Sequence, residues 1–291
     1  MNGIHGPAGP KITRRSSSSL ACSERFHLAS AIVGQTYVID VARPPTSTPP
    51  SGSVPVIYVL DGNSLFAMTC QIARLLELDP RGIPSAVVVG IGYPTDSSLE
   101  GNRERRSLRI RDLTPTEDVF SVRRVLAGRE EFPVDFDIQS GGSANFRMFI
   151  EEELQPFIRG ELQIHALDQT LVGMSLGGLF AMETLLSFPS LFGRWIAVSP
   201  SIWWDGRVLL NVGASVDSWR ENSRARVFMC VGGAEDAETQ CDALELATRL
   251  ESRRHASLEL EFMEFPGETH QSVFPGAVSR GLRSVFGSLS P

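Results

Sequence analysis

Seven short apolar runs rich in β-branched residues recur along the chain: "TYVIDV" (36–41), "VPVIYVL" (54–60), "AVVVGIG" (86–92), "TLVGM" (170–174), "RWIAVS" (194–199), "RVFMCVG" (226–232) and "LELEFMEF" (258–265). Most are nearly continuous rather than alternating, the pattern of central strands covered on both faces. Between them lie segments with helical spacing. "SANFRMFIEEELQPFI" sets Phe146, Phe149, Ile150, Leu154 and Phe157 three or four apart, with Ser143 available as an N-cap. "LGGLFAMETLLSF" and "AETQCDALELATRLES" follow the same period, and "AVSRGLRSVF" predicts a closing helix. Alternation of β and α units after an opening hairpin predicts an α/β fold with a mostly parallel, doubly wound central sheet flanked by helices.

The Pro/Ser stretch "ARPPTSTPPSGSVP" (42–55) reads as a hairpin loop joining two early strands. Residues 93 to 142 are long, polar and without sustained periodicity, which predicts a loop or lid-like insertion ahead of the strand at 170–174. A Gly/Pro/Ser-rich start predicts a disordered tail over 1–22, leaving 23–291 as a single domain.

Composition narrows the function. A chain of 291 residues with 42% hydrophobic content can bury a sizeable core. Its formal charge of −7, from 27 basic and 34 acidic residues, offers no global positive field for a phosphate backbone, so no nucleic acid is expected as partner. Lys11 is the only lysine and lies in the leader, which argues against Schiff-base and P-loop chemistry. Cys22, Cys70, Cys230 and Cys241 form no CxxC pair and do not cluster with histidines at metal-ligand spacing, so buried reduced thiols and no metal are expected. No apolar run reaches the ~18 residues of a membrane span. Ser23, Glu24, Arg25 and His27 interrupt any signal-peptide core, which points to a cytoplasmic protein with no membrane partner.

The candidate chemistry centres on "LVGMSLGGLF" (171–180), where Ser175 stands between Gly173 and Gly177. A GxSxG match alone is weakly specific, but here it follows a predicted strand and opens a predicted helix, the setting of a nucleophile elbow. Glycines belong there because the bend is tight and its neighbours pass close by. The helix start adds free N–H groups and a partial positive charge beside the serine. A serine hydroxyl needs a base, and on this fold the partners follow in the order Ser, acid, His. His5 lies in the tail, His27 and His165 precede the serine, and His255 stands at the entry of a strand. His270, in "FPGETHQSVFP", follows the last strand at the carboxyl edge, where such sheets place their sites.

For the acid, Glu235 and Asp236 stand side by side in "VFMCVGGAEDAE", and Asp205 after "SIWW" is a third candidate; either of the adjacent pair could instead cap a helix. "YVLDGNSLF" (58–66) offers a second oxyanion donor, the N–H of Asn63 alongside that of Leu176, with Asp61 and Gly62 as candidate substrate-binding residues; a plain Asp-Gly turn is the other reading. "GNRERRSLRIRD" (101–112) concentrates Arg103, Arg105, Arg106, Arg109 and Arg111. Arg106 and Arg109 are candidates to hold a substrate carboxylate or catecholate bidentately, against a solvated face as the other reading. Trp203 and Trp204 could line an apolar pocket or pack in the core.

Together these blocks resemble the esterase family of α/β-hydrolases that includes enterochelin-type iron-siderophore esterases, S-formylglutathione hydrolases and mycolyltransferases. The resemblance spans residues from about 24 to 288. It is carried by "VIYVLDGNSLF", which resembles the family's oxyanion strand and loop, and by "RIRDLTPT" with "SGGSANFRMFIEEELQPFI", "GMSLGGLFAMETLLSFPSLFGRWIAVSPSIWWD" and "FPGETHQSVFPGAVSRGLRSVF", which resemble the siderophore-esterase branch. "VGGAE" matches a recurring G-x-x-E of that branch, so the resemblance ranks Glu235 above Asp236. It implies a serine esterase acting on a small-molecule ester, siderophore-like or otherwise anionic and aromatic, through Ser175, His270 and Glu235, with no cofactor. The branch includes members whose third residue is weak or missing, which leaves a Ser175–His270 dyad open. Acyl transfer or thioester hydrolysis on the same residues, and a hydrolase-like binding protein without catalysis, are the other readings.

Overall fold

The structure is a computed structural model that describes residues 20–44, 54–94, 98–128, 138–163, 168–211, 224–252 and 257–287. Most of the leader with Lys11 and His5, and also His165 and His255, lie outside the described residues. Eight strands form one sheet: β1 (Ser23–Ala29), β2 (Thr36–Ala42), β3 (Val56–Val59), β4 (Val87–Gly92), β5 (Gln169–Met174), β6 (Arg194–Val198), β7 (Ala225–Gly232) and β8 (Leu258–Phe265). Their spatial order is β1-β2-β4-β3-β5-β6-β7-β8, with β2 antiparallel to both its neighbours and all other pairs parallel. This is the mostly parallel, doubly wound sheet of an α/β-hydrolase fold.

The continuous apolar runs follow from two-sided burial. Successive side chains of a strand point to opposite faces, so Tyr58, Trp195 and Met229 enter one core layer while Ile57, Ile196 and Phe228 enter the other. Burying one such side chain contributes about 1.5–3 kcal/mol. Helices α1 (Gly62–Glu77) and α9 (Val273–Phe286) cover the second face; the first carries α2 (Leu99–Leu113), α3 (Val119–Leu126), α4 (Ser143–Met148), α5 (Gln155–Leu162), α6 (Leu176–Ser187), α7 (Trp204–Asn211) and α8 (Ala237–Ser252).

Several expectations change. The 42–55 connection is not a hairpin loop, because β4 lies between β2 and β3; the hairpin partner of β2 is β1, an edge strand whose polar, half-exposed residues hide its period. Within 93–142 the described residues include two helices, α2 and α3, which the sequence pattern did not predict. The inward side of α2 includes Asp112, which accepts a hydrogen bond from the Tyr37 hydroxyl at 2.8 Å, so no apolar stripe announces it. Gly142, not Ser143, precedes α4, and a π-helical stretch (Phe149–Leu154) joins α4 to α5. Of the four free cysteines, Cys70 and Cys230 are buried but Cys22 and Cys241 are exposed. Burial pushes the Cys70 thiol up to about 12. No helix among the described residues is long and apolar enough to cross a membrane.

The winding locates the site. After β3 the chain goes to β4 on one side, then returns to β5 on the other, with α1 on one face and α4–α5 on the opposite one. A crevice opens outside the carboxyl ends of the strands at such a switch point.

Candidate active site

Ser175 sits between β5 and α6 with φ 59° and ψ −118°, a conformation that L-residues rarely adopt. A Cβ on Gly173 would lie 2.1 Å from the Gly177 carbonyl oxygen, and one on Gly178 would lie 2.9 Å from Pro200 Cα. Gly173 and Gly178 are therefore sterically required for the bend. At Gly177 the nearest atom to an added Cβ is 3.4 Å away, so the second glycine of the motif is less constrained than its neighbour. Leu179 N–H donates to the Ser175 carbonyl, which leaves the Leu176 N–H ahead of the helix ladder.

His270 follows β8, and its Nδ1 lies 2.6 Å from Glu235 Oε2. The other carboxylate oxygen, Oε1, accepts from the Gly232 N–H at 2.8 Å and from the Ser199 hydroxyl. The Glu235 side chain is 2% exposed. Burial raises its pKa, but hydrogen bonds to His270, Ser199 and the Gly232 N–H outweigh burial and hold the carboxyl below the usual carboxylate range. Asp236 accepts from the Thr239 N–H at 2.9 Å and from the Thr239 hydroxyl at 2.8 Å, the geometry of an N-cap for α8. Asp205 lies in a left-handed turn and its N–H donates to Ser121 Oγ. Of the three candidate acids, Glu235 is the one brought to the imidazole.

A cavity of about 390 Å³ opens over Ser175 and His270. The Ser175 hydroxyl is 3.3 Å from that of Ser201. Among the described residues it makes no hydrogen bond to His270, although both side chains line the cavity. In free enzymes such contacts are often long and tighten only around substrate. Neither Ser199 nor Ser201 stood out in the sequence, because each acts through a partner 36 or 26 residues distant.

Asn63, Leu176, Arg105, Arg106 and Trp203 also line the cavity, with Val125 of α3 and Tyr93 after β4. Asp61 and Arg109 reach it too, but they engage each other. Arg109 Nε donates to Asp61 Oδ1 at 2.6 Å and Nη2 to Oδ2 at 2.9 Å, and Nη2 reaches the Met174 carbonyl at 3.4 Å. This pair ties the Asp61 turn to the end of β5. Gly62 is buried and does not line the cavity; a Cβ there would lie 2.8 Å from Gly90 C and Ile91 N. Trp204 is fully buried in the core and donates from its indole to Thr116 Oγ1 at 3.2 Å. Trp203 alone of the pair faces the cavity, with the Arg124 guanidinium 4.1 Å from its ring centroid. Among the described lining residues three arginines stand against one carboxylate, so the wall is net positive. Among the described residues no group of His, Cys, Asp and Glu could hold a metal ion.

A family model described as "Putative esterase" matches residues 125–281. Ferri-bacillibactin esterase BesA of Bacillus subtilis is 36% identical over 263 residues, covering 88% of this chain and 86% of that protein. The siderophore triacetylfusarinine C esterase of Aspergillus fumigatus is 29% identical, covering 91% of this chain and 93% of the relative. The crystal structure of the BES protein from Bacillus cereus superposes with a TM-score of 0.80 at 32% identity, over 95% of this chain and 100% of the other. The chain belongs to this esterase family and is a carboxylic ester hydrolase of α/β-hydrolase fold.

Proposed function

We propose that the protein hydrolyses an ester-linked siderophore, or a similarly anionic aromatic ester, through an acyl-enzyme on Ser175. The observation that carries this reading is the 2.6 Å contact between His270 Nδ1 and the buried Glu235 carboxylate, at a cavity that also holds the strained Ser175. Ser175 Oγ attacks the ester carbonyl carbon while Nε2 of His270 takes its proton. Glu235 fixes the imidazole tautomer and stabilises the charged ring. The oxyanion that develops is received by the N–H groups of Leu176 and Asn63; one such donor is typically worth about 3 kcal/mol of barrier. The C–O bond to the alcohol then breaks, and the leaving oxygen takes the proton from His270. In the second half His270 deprotonates a water, which attacks the acyl carbon and restores the Ser175 hydroxyl.

The net positive wall and the indole of Trp203 support an anionic aromatic substrate. The relative named as a siderophore esterase supports an ester-linked siderophore as the substrate. A panel of ferric and iron-free siderophore esters beside simple acyl esters tests it. The double variant Arg105→Met, Arg106→Met is expected to lower kcat/KM for a catecholate ester roughly ten-fold more than for p-nitrophenyl acetate, a modest share of what charged hydrogen bonds contribute. Equal losses on both substrates would remove the arginines from substrate selection.

A further inference from the structure

The Asn63 side chain makes two hydrogen bonds to one residue's backbone. Its Nδ2 donates to the Tyr93 carbonyl at 2.9 Å, and the Tyr93 N–H donates to its Oδ1 at 2.8 Å. A primary amide paired in this way copies one peptide unit of a β-bridge and extends the end of β4 sideways to the start of α1. Two directional bonds to a buried strand end fix the side chain, and through its short link the Asn63 backbone as well.

The surroundings are shaped for this contact. Asp61 is in the left-handed region at φ 55°, and the first bonds of α1 run from Ser64 and Leu65 N–H to the Asp61 carbonyl, which leaves the Asn63 N–H ahead of the ladder. A Cβ on Gly92 would lie 2.5 Å from Asn63 Oδ1 and 3.1 Å from Asn63 N, so only glycine at 92 admits the amide at this distance. Tyr93 is itself buried and lines the cavity with Asn63 and Ser175.

We infer that the Asn63 side chain is a positioning residue: its paired contact with the Tyr93 backbone aims its own N–H at the place where the substrate oxyanion forms. The inference rests on the acyl-enzyme mechanism proposed above and adds the device that preorganises its second donor. The carboxamide never touches the reacting atoms; it sets the direction of an N–H that does. Its effect therefore belongs to the transition state and not to ground-state binding of the ester.

The test uses the full chain and the variants Asn63→Ala and Asn63→Asp. Alanine keeps the N–H and deletes both contacts. Aspartate keeps the size but sets a carboxylate oxygen against the Tyr93 carbonyl. Misplacing a donor by about 1 Å can cost about 10²-fold. Both variants are expected to lose about 10- to 100-fold in kcat with KM within about three-fold, aspartate the more, and to lose affinity for a trifluoromethyl ketone by the same factor. That ketone becomes a tetrahedral oxyanion on the serine, so it reports the donor directly. Gly92→Ala, which crowds the amide from the other side, is expected to lower both quantities together in the same way. Wild-type kcat and ketone affinity in a folded Asn63→Asp would overturn the inference, as would a loss confined to KM. An active Ser175→Ala enzyme would instead defeat the underlying mechanism, and that result is read separately.

Discussion

Ser175→Ala is expected to lower turnover of a p-nitrophenyl acyl ester by about 10⁴- to 10⁶-fold, the range seen when a serine hydrolase loses its nucleophile. Alanine has no oxygen to form the acyl bond, and water in its place lacks both the tight placement and the activating base. The substitution leaves the fold almost untouched. Alanine accepts φ 59° about as badly as serine does, and the hydroxyl it removes is engaged, among the described residues, only by the 3.3 Å approach to Ser201. Thermal unfolding should therefore stay close to wild type, separating lost chemistry from lost structure. A variant that hydrolyses the ester at the wild-type rate would end the proposed mechanism.

Glu235→Gln carries the second large effect, a loss of about 10³- to 10⁴-fold in kcat, against less than about three-fold for Asp236→Asn. The glutamate has both oxygens engaged: Oε2 faces His270 Nδ1, and Oε1 is held by the Gly232 N–H and the Ser199 hydroxyl. Glutamine can present an N–H to Nδ1, which favours the wrong tautomer and withdraws the charge that balances the imidazolium. Asp236, one residue on, is exposed and spent on Thr239, so its loss reads out as about 1 kcal/mol of helix capping. The sign of the pH effect follows from the depressed Glu235 value. Its stabilising contribution is present above the unfolded carboxyl pKa and is lost as pH falls through the lower folded one. Acid unfolding of the wild type should carry this dependence, and Glu235→Gln should weaken it. Equal, small activity losses at 235 and 236 would favour a dyad of Ser175 and His270.

Elements buried on both faces could be read from local pattern, which is why the runs at 36–41, 86–92 and 194–199 each coincide with a strand to within about a residue. The bend at Ser175 was legible for the same reason, since strand, glycines and helix adjoin in the chain. What escaped depends on partners far away. Helix α2 turns Asp112 inward to Tyr37, 75 positions earlier, and a hydrophobicity pattern carries no trace of that. Arg109 pairs with Asp61, 48 positions earlier, a contact that no local spacing announces. Trp203 and Trp204 are adjacent and chemically alike; only the turn into α7 sends one to the cavity and the other to the core. Strand β1 was hidden because one face meets solvent and its inward residues are few.

Covalent catalysis at Ser175 is open to direct observation by rapid quenching of a slowly deacylated ester in the first turnovers, followed by intact-mass and peptide analysis. A transient gain equal to the acyl group is expected, confined to the peptide containing Ser175 and absent from Ser175→Ala. Steady hydrolysis with no acyl adduct, or an adduct on another residue, would contradict it.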